Sequence, residues 1–355
     1  MRRFVLLSVL IVAVLIATVP FAAAQSALLD LPRGSQHARV LQRVGITDIT
    51  INYHRPLVKG RKVFGGLEPY GKVWRAGANE NTTIEFTDPV TIEGKPLAKG
   101  IYGLHMIPGE TDWTIIFSKN STSWGSFSYD QAEDALRVTV KSHPDEMHEA
   151  LTFDFDDPKD NSVNIVMRWD KIAVPFKVEV NTNQIVEESL HNQLRGRAQY
   201  EWQAWDEAAS YLLDNKVNPE EALKDADHSI GMEDRFENEI TKSRALDALN
   251  RKDEANVARN KAIDMGTAIQ LHGYGRQLQQ QGKQEEAFAV FRNNIKRFPD
   301  HFITHNEAAR LACAKGDFDT AVKEMKLSAA GANDLFKPST EALVKRLEAK
   351  EDINK

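Results

Sequence analysis

From about Ser35 to Val180 apolar and polar positions alternate. Ile49, Ile51, Tyr53 form one such run, followed by Ile84 and Phe86, then Trp113, Ile115 and Phe117. Leu136, Val138, Val140, then Leu151, Phe153, Phe155, then Val174, Phe176, Val178 and Val180 continue it. A period of two puts one set of side chains on one face of a strand, which is the signature of a half-buried β-strand. The runs are bounded by turn-forming clusters such as Asp156-Asp157-Pro158-Lys159-Asp160-Asn161. About ten short strands with no helix-length pattern between them predict antiparallel pairing and a jelly-roll-like β-sandwich. Ile101-Tyr102-Gly103-Leu104-His105-Met106-Ile107 is apolar on both faces and is expected to be a central strand.

After Asn183 the period becomes helical and the chain repeats itself. Alanines at 222, 255, 287 and 321 stand 33, 32 and 34 residues apart, in the settings Glu221-Ala222-Leu223, Glu254-Ala255, Glu286-Ala287-Phe288 and Thr320-Ala321-Val322. Gly282 and Gly316 are 34 apart and are placed at turns between paired helices, where glycine supplies a left-handed cap. Asn250 takes that place in the second copy. Each unit ends at a breaker: Gly231, Gly266, Pro299-Asp300 and Gly331. This is the pattern of stacked helical hairpins, and the spacing resembles the tetratricopeptide repeat. Leu190, Leu194, Ala198, Trp202, Trp205, Ala209 and Leu212 predict a helix that docks the array on the β domain. Pro338-Ser339-Thr340-Glu341 opens a terminal capping helix with Leu343, Val344 and Leu347 on one face.

The N-terminus adds an address. Arg2 and Arg3, an apolar run from Phe4 to Val19, Pro20 and Ala22-Ala23-Ala24 read as a signal peptide cut between Ala24 and Gln25, which predicts a periplasmic or extracellular protein with no stable membrane anchor after processing. The expected organisation is a signal peptide over 1–24, a linker over 25–34, a β-sandwich domain over 35–182, a helical repeat domain over 183–334 and a C-terminal cap over 335–355. The 355 residues carry 45 Lys+Arg against 51 Asp+Glu, a net charge of -6, which argues against a nucleic-acid partner. The single cysteine, Cys313, sits in Leu311-Ala312-Cys313-Ala314, so no intrachain disulfide forms and it is expected to be a small buried apolar residue.

The segment Tyr53-His54-Arg55-Pro56-Leu57-Val58-Lys59-Gly60-Arg61-Lys62-Val63-Phe64-Gly65-Gly66, with Pro69-Tyr70-Gly71-Lys72-Val73-Trp74-Arg75-Ala76-Gly77-Ala78-Asn79-Glu80, resembles bacterial secreted proteins known as domain of unknown function twenty-nine eleven. Gly100-Ile101-Tyr102-Gly103-Leu104, Trp124-Gly125-Ser126-Phe127, Glu133-Asp134-Ala135-Leu136-Arg137-Val138 and Val174-Pro175-Phe176 are similar to it too, as is the helical stretch from Gln270 to Leu278. The resemblance implies a β domain followed by helical repeats, a bacterial source and export. It implies no catalytic residue.

Residues 59–80 are the least core-like stretch of the β half, with five glycines, five basic residues and three aromatics against Glu68 and Glu80. Glycines let backbone approach a ligand, cations attract an anion, and an aromatic face stacks on a sugar. Lys59, Arg61, Lys62, Tyr70, Trp74, Arg75 and Asn79 are therefore the candidate binding residues for a small anionic or carbohydrate ligand. The same loop also reads, and reads better, as a strand crossover whose glycines make turns and whose arginines pair with carboxylates. His105 could meet Glu80 or Arg75 and act as a general base. His143 and His148, beside Asp145 and Glu146, are expected at a solvated hairpin tip, with no spacing that matches a known zinc motif. No hydrolase, zincin, phosphate-loop or dinucleotide fingerprint occurs, so no cofactor is implied.

Two functions follow. The first is a non-catalytic binding or scaffold protein whose array takes a protein or peptide on the concave surface of its first-helix side chains. The second is a cell-envelope hydrolase or lyase using His105, Glu80 and Arg75, which requires those three side chains to converge in one open pocket.

Overall fold

The computed structural model describes residues 31–354. The signal peptide and its cut site lie outside the described residues. The chain divides after Val180 into two compact units.

The first unit is a pair of antiparallel sheets. Strands β1 (Gln36–Val44), β2 (Thr47–Arg55), β3 (Thr83–Phe86), β4 (Val90–Ile92), β5 (Lys95–Leu97), β6 (Gly100–Ile107), β7 (Asp112–Ser118), β8 (Asp134–Lys141), β9 (His143–Lys159) and β10 (Ser162–Val180) build it. One sheet runs β1-β2-β3-β6-β7-β8 and the other β5-β4-β10-β9. The predicted alternation names the inward face: Ile49, Ile51, Ile84, Phe86, Leu104, Ile115, Phe117, Phe153 and Phe176 are all buried. Aromatic rings from the two sheets meet between them, Tyr53 on Phe153 at 5.0 Å and Phe117 on Phe176 at 6.0 Å, both edge to face. β6 lies in the interior of the larger sheet, as its two-sided apolar run predicts.

His143 and His148 are not at a hairpin tip. Both lie in β9, where His143 pairs with Ala173 and His148 with Asp170. The β9–β10 turn falls instead at Lys159–Ser162, within the predicted Asp-Pro-Lys-Asp-Asn cluster. The Asp145 carboxylate is held by His148 and by Arg168, which also reaches Asp154 and Asp156.

The second unit holds helices α1 (Thr182–Gln193), α2 (Trp202–Asp214), α3 (Pro219–Met232), α4 (Phe236–Ala248), α5 (Lys252–Met265), α6 (Ala268–Gln280), α7 (Gln284–Arg297), α8 (Phe302–Ala314), α9 (Phe318–Gly331) and α10 (Lys337–Glu348). Four antiparallel hairpins, α2–α3, α4–α5, α6–α7 and α8–α9, make a tetratricopeptide-like array, and α10 packs on α9. Ala222, Ala255, Ala287 and Ala321 are completely buried at the hairpin contacts. The turns carry the left-handed residues Lys216 (φ 57°), Asn250 (φ 61°), Gly282 (φ 78°) and Gly316 (φ 76°). The stretch around Trp202 and Trp205, expected to dock the array, is the first helix of the first hairpin. It packs on α3 and α4, and its aromatic residues mask the weak repeat signal of that copy.

Glycine inside a helix costs about 1 kcal/mol against alanine, yet Gly275 sits in the middle of α6. A Cβ there would collide with the Phe291 ring of α7. The close approach that places Phe291 in the core of the third hairpin requires that glycine. Cys313 is buried beside Ala309, Ala321, Met325, Leu347 and Ile353, as a small apolar residue would be.

Candidate functional site

Part of the 59–80 loop serves the fold through its backbone and through Arg61, Trp74 and Asn79. Arg61 donates to the Leu57 and Val58 carbonyls at 2.5 and 3.0 Å. The Lys59 N–H donates to the Glu149 carboxylate at 2.9 Å, and Asn79, at φ 59°, donates to the Ser35 carbonyl at 3.3 Å. Trp74 offers no open face. It is 5% exposed, stacks on Trp169 at 5.7 Å and donates its Nε1 to the Gly77 carbonyl. Apolar packing pulls it into the sandwich with Phe64 and Trp113. Lys62 is exposed, and Tyr70 is half exposed, its ring against Gly65.

The proposed catalytic three do not converge. The Glu80 carboxylate is bonded to Arg33, and its second oxygen lies 3.3 Å from His54 Nε2. These groups line a shallow cavity of about 420 Å³ with His37 and Ser35. His105 is 2% exposed, and its Nδ1 lies 2.9 Å from Ser126 Oγ. Burial depresses the imidazole to about 4, so at neutral pH the ring is uncharged. The enzyme reading therefore loses the carboxylate it needed beside His105.

Arg75 does reach His105. Trp74 pairs in antiparallel register with Met106, so one residue on, Arg75 faces His105 across the strands. Trp74 points into the core and Arg75 to the outer face of the six-stranded sheet. Ile116 pairs with both His105 and Arg137, which puts Arg137 in the same outer row. Arg137 is satisfied by Asp134 and the Tyr129 hydroxyl. Arg75 is not: its Nε is buried without a hydrogen-bond partner, and among the described residues it has no ion pair. Glu68 is the carboxylate whose field it feels, and burial raises that group to about 7.

The segment 120–127 crosses this outer face. Its Asn120 carbonyl and Ser123 hydroxyl accept from the Asn81 amide at 3.2 and 3.4 Å, while Gly125 lies against the Arg75 guanidinium and Ser126 holds His105. Phe127 and Trp124 stand out into solvent at 88% and 57% exposure. Asn81, Ser126 and Phe127 are absent from the candidates drawn from sequence. The Trp-Gly-Ser-Phe run is visible as part of the resemblance, but nothing in its spacing ties it to Arg75.

In the helical unit a groove of about 1140 Å³ opens between the second and third hairpins. Its walls are the second helices, α5 and α7, through Asn256, Asn260, Ile263, Val290 and Asn293, and its floor is Tyr274 and Leu278 of α6. This is not the first-helix surface expected from the sequence. There polar side chains are buried between the third and fourth hairpins: Asn294 of α7 donates to Glu307 of α8 at 2.8 Å, His272 of α6 lies 3.2 Å from the same carboxyl, and Glu307 is fully buried. Burial pushes Glu307 up to about 8 and His272 down to about 3, so both are neutral. In the groove Asn256 accepts from Arg259 at 2.7 Å, and Asn293 Oδ1 is buried with no partner.

Among the described residues no group of three or more His, Cys, Asp or Glu side chains is arranged to hold a metal ion, and no helix is long and apolar enough to cross a membrane. No curated protein matches the chain in sequence. Among solved structures, one chain from the crystal structure of the APC/C hetero-tetramer Cut9–Hcn1 is similar over 48% of this chain at 19% identity with a TM-score of 0.30. The chain spans only 33% of that protein's length. The crystal structure of MamA is similar over 46% of this chain and 92% of its own, at 16% identity and a TM-score of 0.29. Residues 35–178 match the family described as a protein of unknown function, DUF2911.

Proposed function

We propose that the protein is an exported, non-catalytic binding or scaffold protein whose helical array holds a segment of another protein. The observation that carries this reading is the groove between the second and third hairpins. It combines an apolar floor, Tyr274 and Leu278, and an apolar wall residue, Val290, with carboxamides that can give and take backbone hydrogen bonds, Asn256, Asn260 and Asn293. Charged residues of both signs, Asp247, Lys252, Arg259 and Glu286, rim it and keep it soluble when empty. Its volume admits an extended segment of a few residues, a recognition mode in which pockets for side chains add to main-chain bonds. Export rests on the sequence alone: the basic start, the apolar run and Ala22-Ala23-Ala24.

The test is co-purification from the envelope fraction of bacteria making the full chain and its Tyr274→Asp and Asn260→Ala variants. A protein retained by the parent and lost with both substitutions supports the reading. A partner that both variants hold as well as the parent counts against this groove.

A further inference from the structure

The β unit carries buried polar atoms without hydrogen-bond partners, and two of them lie close together on one face of the larger sheet. Buried donors and acceptors in a native structure are almost always paired, and an exception marks a ligand or a functional role. Two lie beneath segment 120–127, beside a ring nitrogen that makes no protein hydrogen bond among the described residues. Arg75 Nε is a buried donor without an acceptor, and Asn81 Oδ1 is a buried acceptor without a donor, on a side chain only 9% exposed. His105 has its Nδ1 engaged by Ser126, and among the described residues no protein hydrogen bond reaches Nε2. They share one place on the sheet. A Cβ added at Gly103 would meet Asn81 Nδ2 at 2.7 Å and His105 Nε2 at 3.3 Å, and Arg75 faces His105 across the strands. One added at Gly125 would collide with Arg75 Nη1 and meet the Phe127 ring at 3.1 Å. Glycine at both positions keeps backbone and polar groups close, and Phe127 lays an exposed aromatic face beside the guanidinium.

We propose that this constellation is a binding site for a sugar carboxylate, a hexuronic acid or a residue of one, seated at the edge of segment 120–127 against Arg75 and Phe127. Arg75 takes the carboxylate, for which the planar guanidinium is the matching donor. A ring hydroxyl donates to Asn81 Oδ1, and a second bonds His105 Nε2. The apolar face of the pyranose lies on Phe127, with Trp124 beside it. The charge fits a monoanion. Among the described residues of the patch Arg75 makes no ion pair at contact distance, with Glu68 acting on it from farther away, whereas Arg137 is neutralised by Asp134, and a phosphate dianion would bring more negative charge than Arg75 offsets. A carboxylate without hydroxyls would leave Asn81 Oδ1 as it is now. The site is separate from the helical groove and does not depend on what that groove binds.

The experiment is calorimetric titration of the full chain with D-glucuronate, D-glucose and acetate, repeated on Arg75→Met and Phe127→Ala. Saturable glucuronate binding is expected, with glucose and acetate at least tenfold weaker, at least tenfold loss in Arg75→Met and several-fold loss in Phe127→Ala. Phe127 is almost wholly in solvent, so its removal leaves the fold intact and decides the matter if Arg75→Met does not fold. Absence of saturable glucuronate binding, equal binding of glucose or acetate, or variants that bind as the parent does would overturn the proposal.

Discussion

The two units solve the same problem, burying an apolar core without a disulfide, in opposite ways. The β unit draws its core from residues far apart in sequence: Tyr53 meets Phe153, and Phe64 meets Trp113 and Trp169. The helical unit draws each piece of core from neighbours, an alanine at each hairpin contact and a ring such as Phe291 seated against Gly275. A fold of distant contacts is an all-or-none object, whereas a stack of local hairpins behaves as a chain of coupled small ones. The same difference governs where binding features arise. In the β unit they come from chain segments that meet only after folding, and in the array from the gap between successive copies.

The largest effects would come from removing a core ring in each unit. Phe153→Ala and Phe291→Ala should each cost about 3–5 kcal/mol. Hydrogen exchange resolved by peptide on the full chain should then show loss of protection across both sheets in the first case. In the second, loss should concentrate on α6, α7 and α8. Equally broad loss in the helical unit would break the comparison.

Next come the hairpin alanines. Ala287→Leu or Ala321→Leu should cost about 1–3 kcal/mol, since neither site has room for added volume, while Leu at Gln284, on the first turn of α7, should cost under about 0.5 kcal/mol. Denaturant melts followed by helical circular dichroism read the difference. Equal costs at all three would mean that the alanine period is compositional.

A third test uses pH. Glu307 is raised in the folded state from 4.5 to about 8, so the folded unit holds a proton that the unfolded chain releases, and its contribution is lost as pH rises through that window. His272 is lowered from 6.5 to about 3, so its contribution grows with pH up to 6.5 and then stops. Above pH 6.5 only the loss remains from this pair. Between pH 6.5 and 8 the helical unit should lose about 1–2 kcal/mol, and Glu307→Gln should flatten that slope. In the β unit His105, lowered to about 4, gives a gain with pH up to 6.5, and His105→Gln should remove it. An unchanged slope in Glu307→Gln would show that the carboxyl is not held neutral.

The smallest effect is expected at Lys62, exposed on the loop whose composition is most like a binding site. Lys62→Ala should move stability by less than about 0.5 kcal/mol and leave glucuronate binding unchanged in the same titration. A loss there would return the ligand to the 59–80 loop.

These contrasts explain what the sequence could show. Period two and the 32–34-residue alanine spacing are local signals, so the sandwich, its central strand β6 and one alanine from each of the four hairpins are legible in the sequence. The first helix of the first hairpin is not, because Lys216 stands where a glycine would mark the turn, although it adopts the same left-handed geometry at φ 57°. In the β unit Trp74 and Arg75 are adjacent in sequence and fall into one candidate group, yet the pleat sends one into the core and the other to the surface. Asn81, His105 and Ser126 come together only through the register of β6 and the path of segment 120–127, and no periodicity encodes that meeting. The side of the array that opens depends on how successive hairpins splay, which the repeat length does not determine.

The central claim, that the array binds through the gap between its second and third hairpins, is tested most directly by photo-cross-linking in the bacterial envelope. A photoreactive side chain would replace Asn260 on the groove wall or Ile269, 44% exposed on the opposite face of α6. A single protein adduct at 260 that is absent at 269 and abolished by Tyr274→Asp is the predicted result. Adducts at 269 with none at 260 would contradict it and place the partner on the first-helix face.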